Sequence, residues 1–145
     1  MAVPSPNCDT VLRAIDAYNR GDVDALTDLM AHDVELRPPV SALRGIAYRG
    51  HQGVRQWFAD LDESFSRVRI EPIELTDLGG LVLALTSFEA KGGESELEFD
   101  SELGLLLEVD EGLIVSWRGH FNHAAARAEA EAQAATRDRA GPPQA

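Results

Sequence analysis

The chain has 145 residues, 44% of them hydrophobic, and a formal net charge of −12. That length holds one ordinary domain with a single sizeable core. So acidic a chain repels phosphate, which argues against nucleic acid and anionic membrane surfaces as partners.

Residues 1–8 read as an N-terminal arm with no basic segment and no apolar run, so no signal peptide is expected. Cys8 is the chain's one cysteine. It allows no disulfide within the chain, and a reduced, cytoplasmic setting fits. Asn7 or Asp9 can cap a first helix, in which Val11, Leu12, Ile15 and Tyr18 recur at helical spacing and which Asn19-Arg20-Gly21 ends. Asp22 caps a short second helix with Val23, Leu26, Leu29 and Met30 as its apolar positions. Residues 33–39 read as a strand, with Val34 and Leu36 on one face and Glu35 and Arg37 on the other; Pro38 and Pro39 stop it. After a loop, residues 50–53 open a third helix. Its Val54, Trp57, Phe58, Leu61 and Phe65 make a stripe broad enough to cover a sheet. Residues 67–76 form a strand that Pro72 marks as an edge or a bulge.

Residues 81–90 form the next strand, and there alternation fails: Leu81, Val82, Leu83, Ala84 and Leu85 run without a break. A strand apolar on both sides is buried on both sides. One face meets the helices, and a second copy of the chain is the simplest cover for the other. Residues 103–123 then read as a β-hairpin, with Leu103, Leu105, Leu107 and Val109 alternating on the way out and Leu113, Val115, Trp117 and Phe121 on the way back. Gly112 serves the turn between them. Residues 124–145 form an Ala/Glu-rich tail, helical by propensity but without large apolar side chains to bury, so a frayed helix and a disordered GPPQA end are expected. The order is α-α-β-α-β-β-β-β. The fold class is α+β, with a strongly curved antiparallel sheet wrapped around helices.

Three segments carry a family likeness. Residues 18–26, YNRGDVDAL, resemble the link between the first two helices of the SnoaL-like, nuclear-transport-factor-two-like superfamily. Residues 48–55, YRGHQGVR, resemble its entry to the third helix, and residues 111–118, EGLIVSWR, its final hairpin. The resemblance implies a domain over residues 9–123, shaped as a cone-like half-barrel whose pocket is closed by the first and third helices. It implies dimers through the sheet. It also implies a small apolar or cyclic molecule as ligand, handled without a cofactor by an isomerase, cyclase or hydrolase. The carboxylates of the isomerases and cyclases in this superfamily are missing from their usual places, where this chain has Arg37 or Pro38 and Gly104 or Leu105.

That leaves a short set of candidates. Asp100, ahead of the apolar half of its strand, is a catalytic candidate if it reaches the cone mouth; the plainer expectation is a solvated strand end. His120 is the second, provided a bulge at Gly119 turns it inward; otherwise it stays with Arg118 on the outer face. Arg37 is a candidate anion binder, with pairing to Glu35 as the plain alternative. Tyr18, Trp57, Phe88, Trp117 and Phe121 are candidates to line an apolar pocket, against simple core filling. The histidines show no paired ligand spacing, so no metal is expected. A non-catalytic dimeric binding or assembly module with a filled cone remains the alternative function.

Overall fold

In the computed structural model, residues 5–39, 45–92 and 98–140 are described. Helix α1 runs Pro6–Arg20. Its cap is Ser5, whose hydroxyl accepts the Cys8 N–H at 2.9 Å, in place of the Asn7 or Asp9 expected. The reason is Pro6: with no N–H to lose and a fixed φ, it suits the first helical position and moves the start forward. Gly21, at φ 69°, closes the helix in the left-handed conformation. Helix α2 spans Val23–Asp28, with the Asp22 carboxylate accepting the Ala25 N–H at 3.0 Å. Met30 already belongs to strand β1, Met30–Arg37.

The two-residue strand β2, Tyr48–Arg49, leads into helix α3, Gly50–Ser64. Strands β3 (Phe65–Asp77), β4 (Leu81–Gly92), β5 (Glu98–Asp110) and β6 (Leu113–His120) follow, and helix α4 spans His123–Ala140. The sheet has six strands in the order β2-β1-β6-β5-β4-β3. All neighbours are antiparallel except β1 and β6, which are parallel. Register shifts between Pro72 and Glu74 in β3 and between Glu108 and Val109 in β5 bend it. Pro72 thus sits on an edge strand, beside an irregularity, as its chemistry requires.

Helices α1 and α3 cover the concave face. Val11, Ile15, Tyr18, Val54 and Trp57 pack there against Val82, Ala84, Leu105, Leu107 and Trp117. Asn19 fixes the end of α1 to the edge strand: its amide donates to the Ile70 carbonyl and accepts the Ile70 N–H, both at 2.8 Å. One side chain here replaces a strand partner for Ile70. Asp77 does similar service at the other end of α1. Its carboxylate accepts the Gly79 and Gly80 N–H groups at 3.0 Å and the Asn7 amide at 3.2 Å.

The convex face corrects two expectations. Leu81, Leu83, Leu85 and Leu106 form a second buried cluster whose cover is α4, through Ala126 and Ala130. The outer side of β4 therefore needs no second copy to bury it. The C-terminal segment is an 18-residue helix with a docked face. It packs through methyl groups: Ala126 and Ala130 are both 0% exposed. The close approach requires a glycine opposite, since a methyl group added at Gly104 would overlap the Ala126 Cβ. The GPPQA end lies outside the described residues.

Two outcomes are expected. Gly104→Val should push α4 off the sheet and cost about 1–3 kcal/mol in chemical denaturation. The uncovered leucines should make the variant self-associate in sedimentation; an unchanged midpoint and mass would mean that α4 does not rest there. The second concerns pH. Burial raises the Asp77 carboxyl pKa, but hydrogen bonds from Gly80, Ser5, Gly79 and Asn7 outweigh it and leave it below the usual value. The stability this adds is present above the unfolded carboxyl value of about 3.9 and is lost as pH falls through the lower folded value. Asp77→Asn should flatten the acid limb of the stability profile and leave the limb above about pH 6 parallel to that of the parent protein.

Candidate functional site

Two helices do not fill the concavity. A cavity of about 590 Å³ remains between α1, α3 and the sheet. Tyr18, Trp57, Phe65, Phe88, Trp117 and Phe121 line it, with Pro38, Pro39, Leu61, Ile70, Leu103 and Leu105. The rings brace one another. Tyr18 lies 5.4 Å from Trp57 and 6.3 Å from Trp117 between centroids, and the two tryptophans meet edge to face at 5.5 Å. Phe88 and Phe121 stand 6.1 Å apart across the far wall. Such contacts hold rigid walls around open space, because each ring is fixed by a neighbour rather than by a ligand. Burial raises the Tyr18 phenol far above its ordinary value, so it stays neutral.

The polar end of the lining is built by β2 and α3. Trp57, Asp60, Leu61 and Ser64 share one helix face by their i, i+3, i+4, i+7 spacing, and all four line the cavity. Tyr48 reaches the same point from β2. Its hydroxyl donates to Asp60 Oδ2 at 2.6 Å, and Gln56 donates to Oδ1 at 2.8 Å. Tyr48 is set tightly against the first turn of α3. A methyl group at Gly53 would stand 3.0 Å from the Tyr48 carbonyl carbon. The hydrogen bond from Tyr48, then that from Gln56, holds the Asp60 carboxyl below the usual range against a smaller opposing effect of desolvation. Asp60 is therefore ionised at neutral pH.

Tyr18, Trp57, Phe88, Trp117 and Phe121, which the sequence singled out, are brought together by the fold as lining of one cavity. The other candidates lie elsewhere. Arg37 is exposed and points away, its Nε donating to Glu35 at 2.5 Å, while the adjacent Pro38 and Pro39 face the cavity. The β5–β6 ladder runs unshifted through Gly119, so His120 stays on the outer face. There His120 lies 3.4 Å and Arg118 3.6 Å from Glu129 of α4. Asp100 is exposed and pairs in register with Glu89, within a shallow charged depression that also holds Arg67, Arg69 and Lys91. Asp60 and Tyr48 were missed. The signal for Asp60 was present: three residues after Trp57, it falls inside the apolar stripe of α3. Nothing local marks Tyr48, because its partner is twelve residues away on another element.

Among the described residues no three His, Cys, Asp or Glu side chains group as metal ligands. No described helix is long and apolar enough to cross a membrane. In fold the chain is similar to a protein of unknown function from Burkholderia pseudomallei, described as NTF2-like. The TM-score is 0.74 at 20% identity, over 84% of this chain and 95% of that one. It is similar to TerC, co-crystallised with polyporic acid (TM-score 0.73, 19% identity, 88% and 99% coverage). It is also similar to a candidate polyketide cyclase from Xanthomonas campestris pv. campestris (TM-score 0.70, 22% identity, 89% and 96% coverage). No curated protein matches the sequence. The profile of the SnoaL-like domain matches residues 11–117, from the first buried turn of α1 to the tryptophan at the back of the cavity, and the chain belongs to that family.

Proposed function

We propose that the protein binds a small, largely apolar cyclic molecule in the cavity between α1, α3 and the sheet. The observation that carries this is the open, ring-braced space itself. About 590 Å³ is room for a drug-sized molecule, and a packed core leaves no such void. The ligand class agrees with the relatives, one of which was crystallised with polyporic acid and another described as a candidate polyketide cyclase. The filled-cone assembly module expected as the alternative has less support, since the aromatic side chains stand around the space rather than in it. A homodimer through the sheet is not part of this reading while α4 lies on the leucines of β4 and β5.

Cofactor-free acid/base catalysis is the second reading, and one observation favours it: the Asp60 carboxylate is part of the lining. Its depressed pKa makes it a weak base, suited to holding a donor more than to removing a proton from carbon. Binding is the function that this geometry supports best.

Two measurements test it. Trp57 and Trp117 both face the cavity, so occupancy should be visible in their emission. Titration with the neutral probe N-phenyl-1-naphthylamine should quench the tryptophans and raise the probe's own emission. Ser64→Phe, at an exposed position on the lining, should weaken binding about tenfold with little loss of stability. Equal binding by both proteins, or no quenching at saturating probe, would sink the reading. In the second, NMR titration of the Asp60 carboxyl in Tyr48→Phe should show its pKa moved up toward the ordinary aspartate value. An unmoved pKa would remove Tyr48 as its chief partner.

A further inference from the structure

The ligand can be narrowed on the basis of that cavity reading. Among the described lining residues, Asp60 alone carries a charge at neutral pH. Its two oxygens each accept one hydrogen bond, from Tyr48 and from Gln56. A carboxylate oxygen accepts two, so each keeps capacity for a further donor. The same helix face puts Trp57 one turn away, with Tyr18 tilted against it and Trp117 meeting it edge to face. Aromatic faces carry negative potential and attract a cation laid over them. The chain as a whole has a net charge of −12, which draws cations and repels anions on approach.

We propose that the cavity takes an apolar molecule ending in a protonated amine, with the ammonium against Asp60 and the body among the aromatic rings. The pairing needs an ionised carboxylate that is already oriented, and Tyr48 and Gln56 supply the orientation. A hydroxyl could use the same lone pairs but gains nothing from charge. A carboxylate would meet Asp60 as a like charge. Gln56 and Tyr48 thus act as positioning residues, and Asp60 as the group that touches the ligand.

The test uses one body and three head groups: 4-phenylbutylamine, 4-phenylbutan-1-ol and 4-phenylbutyrate, titrated calorimetrically into the full chain near pH 7. The amine should bind about five- to tenfold more tightly than the alcohol, with the carboxylate weakest. Asp60→Asn should bring the amine down to the alcohol's affinity and leave the alcohol within about twofold, since Asn keeps the shape and an acceptor oxygen. Tyr48→Phe, which keeps the carboxylate but removes one of its two holds, should narrow the amine's lead over the alcohol without abolishing it. An alcohol that equals the amine, a carboxylate that binds tightest, or an amine lead that survives Asp60→Asn would each overturn the inference. The two readings also fail differently. If N-phenyl-1-naphthylamine binds and the amine does not, only the amine inference falls. If neither binds, the cavity reading falls with it.

Discussion

Strands β4 and β5 carry apolar side chains on both faces, and each face needs its own cover. The inner face, with Val82, Ala84, Leu105 and Leu107, receives α1 and α3. The outer face, with Leu81, Leu83, Leu85 and Leu106, receives α4. The whole arrangement follows from burying both sides of one sheet with helices of different kinds. Large side chains suit a concave surface, where helices stand off. Alanines suit the convex surface, where α4 must lie close and Gly104 makes room.

The cavity is a consequence of the same geometry. A bent sheet diverges from the helices that cover it, and the gap is lined from Tyr48 of β2 to Phe121 just past β6. Aromatic residues partly fill it, but rings that brace one another in tilted and edge-to-face contacts span space without occupying all of it. The proline pair after β1 closes one wall. Gly119 has Pro39 ring atoms 3.1 Å from where a Cβ would stand, so a side chain there would press on the proline, which would have to shift by a few tenths of an ångström.

Much of this was legible. The period of two in residues 103–121 places the central hairpin, and the unbroken apolar run at 81–85 states that β4 has no wet face. The aromatic lining was legible as well, because Tyr18, Trp57, Trp117 and Phe121 fall on the inward positions of their elements. The cover of the outer face was not. A hydrophobic pattern detects leucines, and α4 buries alanines, whose contribution depends on close approach rather than on apolar area. Nor was the polar end of the cavity. Asp60 does fall inside the apolar stripe of α3, three residues after Trp57, but its partner Tyr48 lies on another element and shows only in the tertiary contact. Arg37 shows the converse: its alternation with Leu36 already placed it outside, and the structure pairs it with Glu35.

The Tyr48–Asp60 contact also limits what chemistry the site can host. An apolar cavity usually makes a carboxylate a useful base by desolvating it and raising its pKa. Here the carboxylate sits at the polar end, where two donors stabilise its charged form and lower its proton affinity. Tyr18, deep in the cavity, moves the other way and stays a neutral phenol. The Asp60 carboxyl and the Tyr18 phenol are thus both held in their ordinary charge states at neutral pH, one anionic and one neutral. A site arranged in this way offers fixed recognition, an anion at the rim and aromatic faces within. That electrostatic pattern is the one on which the proposed binding rests.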